Sequence, residues 1–98
     1  MQFEWDNIKN DKNIKKHGVS FNEAKSVFFD EYAIFEMDEE HSDYEDRFLL
    51  LGLSEIGNTL IVSHCERSIE NGNESIRIIS ARKATKNESL TYWRKRIS

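Results

Sequence analysis

Three strand-like stretches follow one another in the second half of the chain, and they limit the folds open to it. They cover residues 47–54, 59–67 and 75–82. The links between them contain EIGN and IENGN, and Gly and Asn are residues that hairpin turns favour. Since consecutive hairpins pair neighbouring strands in opposite directions, this region predicts an antiparallel meander.

Helix signals precede the meander. Asp6 is a candidate N-cap, and Gly18 follows a basic turn at the place where a helix ends in a left-handed residue. Ser20 and Glu23 have the spacing of a capping box. The elements predicted before the meander are a strand over residues 3–5, helices over 7–17 and 21–29, and a strand over 32–37.

A further capping box, Thr85 with Glu88, opens a C-terminal helix that has Leu90 and Trp93 on its apolar face. The predicted order of elements is therefore β-α-α-β-β-β-β-α. We expect residues 1–98 to form a single α+β domain. Its four-stranded antiparallel meander sheet would carry the helices on one face, because a small domain needs two packed layers.

The charge is distributed unevenly along the chain. The net charge is −4, but residues 29–46 hold nine acidic and no Lys or Arg side chains. Residues 82–96 hold six Lys or Arg against one Glu, and residues 6–17 hold four Lys against two Asp. A local basic surface can bind phosphates even on an anionic protein, so nucleic-acid binding stays open beside the alternative of simple solvated faces.

Several classes of protein are disfavoured. The single cysteine, Cys65, and an N-terminal segment without an apolar signal core favour a cytoplasmic protein. The longest apolar run, residues 48–53, is too short to cross a membrane. His17, His41 and His64 lie far apart in the sequence, and no Gly-rich phosphate loop is present, so we expect neither a metal nor another cofactor.

Cationic side chains on and near the strands remain as candidates for chemistry. RNA cleavage by the ribose 2′-hydroxyl needs a base, an acid and cations on the phosphate oxygens, but no metal. Glu66, His64 and His17 are the candidates for base and acid, and the choice among them stays open. Alternation along the last strand places Arg77 and Arg82 on opposite faces, so both can reach one site only if a bulge intervenes or the second lies past the strand end.

Four stretches of this sequence resemble the BrnT family. They are FEWD at 3–6, KHGVSFNEA at 16–24, VFFD at 27–30 and IRIISARKATKNE at 76–88. The resemblance covers essentially the whole chain in the expected order. It implies a RelE-like ribonuclease that is the toxin of a type II toxin–antitoxin system and that inhibits translation and growth.

The same resemblance supplies the candidate residues and partners. The candidate catalytic residues are Arg82, Arg77, Arg67, Glu66 and His17, and the candidate substrate-binding residues are Arg47, Lys83 and Lys16. The implied partner is a BrnA-like ribbon-helix-helix antitoxin, with two toxins and two antitoxins in each assembly. Operator DNA would be bound only through the antitoxin, and RNA would be the substrate.

Two alternatives remain beside the RNA-cleaving toxin. One is a non-catalytic module that binds a protein or a nucleic acid on the same sheet, which the overall acidity and the lack of an unmistakable acid–base pair favour. The other is a toxin that has lost its activity and is kept only for its antitoxin. The number of arginines near strand ends favours the active enzyme.

Overall fold

The secondary structure follows the predicted order. The structure is a computed structural model that describes residues 1–42, 45–68 and 72–98. The strands are β1 (Gln2–Glu4), β2 (Ile34–Met37), β3 (Arg47–Leu53), β4 (Thr59–Ser68) and β5 (Glu74–Lys83), and the helices are α1 (Asn7–His17), α2 (Phe21–Ser26) and α3 (Lys86–Ile97). Short 3₁₀ turns cover Val27–Phe29 and Glu39–His41. The predicted turn IENGN falls partly on residues 69–71, which lie outside the described residues.

Local signals set the helix ends as expected. The Asp6 carboxylate accepts hydrogen bonds from the first turn of α1, and Gly18 ends the helix with a φ of 70°. The predicted capping box of α3 is present between Thr85 and Glu88. In α2 only half of the predicted box forms, because the Glu23 carboxylate turns away and accepts hydrogen bonds from the β3–β4 hairpin instead.

The sheet has five strands in the order β1-β5-β4-β3-β2. Strands β2 to β5 form the predicted antiparallel meander. The expectation of four antiparallel strands is corrected by β1, which pairs in parallel with β5, with Phe3 opposite Ile76. The meander leaves one side of β5 without a partner, and β1 satisfies part of that edge. The α+β class is as predicted, and the sheet is mixed.

The helices pack on both faces of the sheet, which corrects the expectation of a single covered face. Leu50 and Val62 belong to a buried cluster with Phe21 of α2. On the other face, Leu51 belongs to a separate cluster with Tyr92 of α3. Both faces of the central strands are therefore apolar, and an antiparallel strand that is buried on two sides shows no simple alternation of polar and apolar residues.

The contact face of α3 also differs from the prediction. Tyr92 is completely buried, whereas Leu90 and Trp93 are 42% and 39% exposed. The Tyr92 hydroxyl donates a hydrogen bond to Asp30 at 2.6 Å, and it accepts one from Arg96 at 2.9 Å. These polar partners let the tyrosine occupy the interior position. No helix in the described part of the chain has the length and apolar character needed to cross a membrane.

Candidate active site

A bulge in β5 determines which arginines lie on the same face of the sheet. The pairing of β4 with β5 shifts by one residue after Ser63 and leaves Ile79 without a partner on β4. Such an insertion reverses the alternation of side chains beyond it. Arg77 lies opposite Cys65, and Arg82 lies opposite Ile61, so both arginines are on one face. The opposite-face placement that strict alternation predicts is therefore wrong, and the bulge is the reason.

This shared face is the one on which α3 packs, and we call it the α3 face. Arg47 begins β3 directly opposite Cys65, so it lies on the α3 face in the same row as Arg77, with Cys65 of β4 between them. A groove of about 340 Å³ opens there, and we call it the arginine groove. Its charged and titratable lining residues are His17, Asp38, Glu40, His41, Arg47 and Arg82.

Arg82 is held at the groove by a carboxylate of α3. Its two terminal nitrogens donate to the two oxygens of Glu88 at 2.8 and 3.0 Å. The hydrogen bond from Arg82 lowers the pKa of Glu88 to about 2, and the backbone N–H of Thr85 adds to this effect. The Arg82 side chain is 42% exposed and lines the groove, so it stays accessible to a bound ligand. The α3 capping box and the Arg82 side chain are thus one connected unit.

Arg47 is fixed by its backbone. Its N–H donates to the Ser42 hydroxyl at 3.0 Å, and its carbonyl accepts from the N–H of Asp38 at 2.8 Å. Its Nε is buried and has no hydrogen-bond partner among the described residues. An unsatisfied buried donor carries a free-energy penalty of roughly 1–3 kcal/mol, which an acceptor on a bound ligand would remove.

Arg77 and Arg67 form a second group on the α3 face. Arg77 forms an ion pair with Glu45, and Arg67 lies 3.9 Å from Glu45 and 3.7 Å from Glu4. Burial acts to raise the pKa of Glu45, but a hydrogen bond with the Cys65 thiol and the two positive charges hold it below its usual range. These arginines are therefore balanced by carboxylates, and they continue the row of guanidinium groups beyond the groove.

The comparisons with known proteins identify the family and the fold. A family model described as "Ribonuclease toxin, BrnT, of type II toxin-antitoxin system" matches residues 5–88. The chain belongs to the BrnT family. A solved structure, the ribonuclease toxin BrnT of Brucella abortus, is similar in fold with a TM-score of 0.60 and 22% sequence identity. The similarity covers 88% of this chain and 99% of that chain. No curated protein matches.

The structure brings only some of the predicted residues of this BrnT-family chain to the groove. Arg82, Arg47 and His17 line it. Strand β1 pairs with β5 only as far as Arg77, so the rest of that edge of β5 is not covered by a strand. His17, at the end of α1, lines the groove next to this uncovered edge. At this edge the side chain of Asn13 in α1 forms the hydrogen bonds that a neighbouring strand would form. It donates to the carbonyl of Ala81 and accepts from the N–H of Ala81.

The other predicted residues lie elsewhere. Glu66 pairs with Ile76 and so faces the α2 side of the sheet, where it lies 3.7 Å from His64. Lys83 follows Arg82 in the strand and points away from the α3 face. Lys16 is exposed on α1. The structure therefore does not place Glu66, Lys83 or Lys16 in the groove with the arginines.

Two residues of the groove were not predicted as site residues from the sequence. His41 and Asp38 belong to the acidic stretch after β2, and the His41 Nδ1 lies 3.0 Å from the Asp38 carboxylate. The spacing of three residues was visible, but an acidic linker is usually a solvated surface. Within the described residues, no three His, Cys, Asp or Glu side chains are arranged to hold a metal ion.

Proposed function

We propose that this BrnT-family toxin is a metal-independent endoribonuclease that cleaves RNA through the ribose 2′-hydroxyl and thereby inhibits translation and growth in the cytoplasm. The bulge at Ile79 is the observation that carries the proposal. It aligns Arg77 with Arg82 on the face where Arg47 already lies. Three guanidinium groups on one face of the sheet suit a phosphodiester chain, because each can bind two phosphate oxygens.

The arginines differ in the roles that we assign to them. Arg82 and Arg47 line the groove and would bind the phosphate under attack, where negative charge develops in the transition state. Arg77 and Arg67 would bind phosphates farther along the strand. His17 supplies a titratable group within the groove. Lys16 and Lys83 would contact flanking phosphates only, and Glu66 has no part in this mechanism because it lies on the other face.

A type II toxin implies a cognate antitoxin. We infer a BrnA-like partner that covers the arginine groove, dimerises through a ribbon-helix-helix domain and alone contacts operator DNA. Lys9, Lys12 and Lys16 are exposed at spacings that place them on one side of α1. They offer a second contact for an acidic segment of this partner.

The pairing of Arg77 and Arg82 with carboxylates favours a second candidate, a non-catalytic binding module. Ion pairs such as Arg82 with Glu88 can stabilise a surface without any role in catalysis. The same surface would then bind RNA or protein without cutting it. The two functions differ in one measurable respect, which is the integrity of RNA in cells that make the protein.

Induced expression in bacteria tests the proposal. We expect the wild-type chain to stop growth and fragment cellular RNA, and co-expression of the adjacent antitoxin to prevent both. The double variant Arg47→Ala with Arg82→Ala should be harmless, since each lost phosphate contact costs on the order of 10²-fold in rate. Lys95→Ala, an exposed cation on α3, is the matched control and should stay toxic. Growth arrest with intact RNA would support the binding module instead.

A further inference from the structure

A histidine in the arginine groove is oriented by a carboxylate. The Nδ1 of His41 lies 3.0 Å from a carboxylate oxygen of Asp38. The imidazole is 61% exposed, whereas the Asp38 side chain is 14% exposed. A carboxylate only accepts hydrogen bonds, so Nδ1 carries the proton, and Nε2 of the neutral ring keeps its lone pair. The arrangement leaves a proton acceptor at the accessible end of the ring.

The segment that carries this pair is anchored to the arginine strand. The Ser42 hydroxyl donates to the Asp38 carbonyl at 2.6 Å and accepts from the Arg47 N–H at 3.0 Å. The Asp38 N–H also donates to the Arg47 carbonyl at 2.8 Å. These bonds fix the start of the 3₁₀ turn Glu39–His41 relative to Arg47. His41 is therefore held in the groove with Arg47, to which a phosphate contact is assigned above.

The groove contains a second imidazole on another element. His17, at the end of α1, lines it together with His41. The charged and titratable groups that face the groove besides His41 are Asp38 and Glu40 from the segment after β2, Arg47 from β3, Arg82 from β5 and His17 from α1. Two imidazoles and two guanidinium groups make up the set that cleavage of RNA by its own 2′-hydroxyl requires.

We propose that His41 is the general base of this reaction, with Asp38 as its positioning residue and His17 as the general acid. The proposal rests on the ribonuclease function proposed above and assigns its proton transfers. His41 Nε2 takes the proton of the 2′-hydroxyl, and the 2′-oxygen forms a bond to phosphorus. The bond from phosphorus to the 5′-oxygen breaks, and protonated His17 gives its proton to that oxygen. The products are a 2′,3′-cyclic phosphate and a free 5′-hydroxyl.

Single-turnover cleavage of an RNA oligonucleotide by the full chain tests the assignment. We expect His41→Ala and His41→Gln to cleave about 10²- to 10⁴-fold more slowly than the wild type. Their affinity for the same oligonucleotide with a 2′-deoxy group at the cleavage position should be unchanged. Added imidazole should restore cleavage by His41→Ala. Glu39→Gln, a neighbouring exposed carboxylate outside the groove lining, should cleave like the wild type.

Two further experiments separate the positioning role of Asp38 and the acid role of His17 from the base role of His41. Asp38→Asn should lower kcat with little change in KM, because it misorients the base without removing a substrate contact. A substrate whose 5′-bridging oxygen is replaced by sulfur needs no acid, since a thiolate leaves without a proton. On it His17→Ala should recover its rate, while His41→Ala should stay slow.

The outcomes are distinguishable. If the wild type cleaves RNA but both His41 variants cleave within about threefold of it, the base assignment is wrong while the proposed function stands, since losing a general base costs 10²-fold or more. If His41→Ala recovers on the sulfur substrate, His41 is the acid, and the assignment is equally wrong. If the wild type cleaves no RNA, both the function and the assignment fail.

Discussion

Arg82 has a structural contact and a proposed chemical role in one side chain. Its bidentate pair with Glu88 ties the end of β5 to the first turn of α3, and the same guanidinium lines the groove. Loss of activity after substitution of Arg82 therefore has two explanations, a lost phosphate contact or a displaced helix. A variant that breaks the ion pair but keeps the arginine separates them.

We expect Arg82→Ala to lose about 10²-fold in RNA cleavage, because a charged contact to the transition state disappears. Glu88→Gln should keep most of the activity, since glutamine preserves the capping box and leaves Arg82 in the groove. Cleavage rates and thermal unfolding of both variants are the measurements. Equal loss of activity in the two, together with an equal loss of thermal stability, would show that Arg82 acts through the structure.

His64 is a buried histidine that the proposed mechanism does not use. It is completely buried and packs near the rings of Phe28, Phe35 and Phe48. Its Nε2 has no hydrogen-bond partner among the described residues. Burial lowers the pKa of His64, and the hydrogen bond to Val62 and the nearby Glu66 only partly oppose this.

This lowered pKa predicts a loss of stability in weak acid. The unfolded chain takes up the His64 proton near pH 6.5, whereas the folded chain takes it up only at lower pH. The contribution of neutral His64 to the free energy of unfolding is therefore fully present above about pH 6.5. Below that pH it declines by at most about 1.4 kcal/mol per pH unit. Urea unfolding between pH 8 and pH 5 should show this slope, and His64→Leu should reduce it. An equal slope in the variant would assign the effect to other groups.

The helix caps and the hairpin order were predictable because short-range chemistry sets them. Asp6, Gly18 and the box formed by Thr85 with Glu88 each act within a few residues of the chain. The bulge at Ile79 was not predictable, since its neighbours include no glycine or proline that marks an irregular strand. The candidate site depends on that bulge. Strict alternation placed Arg77 and Arg82 on opposite faces, and the sequence left open whether a bulge would bring them to one face.

Long-range pairings were missed for a different reason. Strand β1 has three residues, too few for a periodic pattern, and its partner β5 begins about seventy residues later. On α3, the buried residue is Tyr92 rather than its neighbour Trp93, a shift of one position. Tyrosine and tryptophan are equally compatible with the buried face of such a helix. Tyr92 is the buried one because its hydroxyl forms a hydrogen bond with Asp30, a contact that the sequence does not reveal. His41 was considered only as a metal ligand and was not predicted as a site residue, because the acidic linker gave no sign of where it would fold.

Asn13 gives a test of how the uncovered edge of β5 is held. Its buried side chain makes three hydrogen bonds, two with the backbone of Ala81 and one with the carbonyl of Val19. Asn13→Ala leaves these backbone groups unsatisfied, so we expect a loss of at least about 2 kcal/mol in the free energy of unfolding. Lys12→Ala, an exposed change on the same helix, should cost less than about 0.5 kcal/mol. Denaturant titration of both variants checks this, and equal midpoints would refute the bracing role of Asn13.

The protein as a whole is small, and it leaves apolar side chains accessible. Phe35 and Met37 on the edge strand β2 are 52% and 46% exposed, and Trp93 on α3 is 39% exposed. An edge strand with exposed apolar residues is a ready surface for another chain. A type II toxin implies a cognate antitoxin, and we propose that this antitoxin is the chain that covers them. Because Phe35 and Met37 lie on the α2 side of the sheet and the groove lies on the α3 face, it would pass around the β2 edge to cover both.

We expect a stable complex of two toxins and two antitoxins when the chain is co-expressed with its neighbouring gene product. Such a permanent interface should bury more than about 2,000 Å². Co-purification followed by mass measurement in solution gives the stoichiometry, and hydrogen exchange should show protection at the arginine groove. A one-to-one particle, or a groove that exchanges as in the free toxin, would contradict this arrangement.

The chemistry of the RNA ends after cleavage tests the proposed activity most directly. Purified protein is incubated with RNA in excess chelator, in parallel with the double variant Arg47→Ala with Arg82→Ala, which should leave the RNA intact. We predict full activity of the wild type in chelator, and products with a 2′,3′-cyclic phosphate or 3′-phosphate on one side of the cut and a 5′-hydroxyl on the other. Cleavage that stops in chelator and returns with magnesium, or products with a 3′-hydroxyl and a 5′-phosphate, would contradict it.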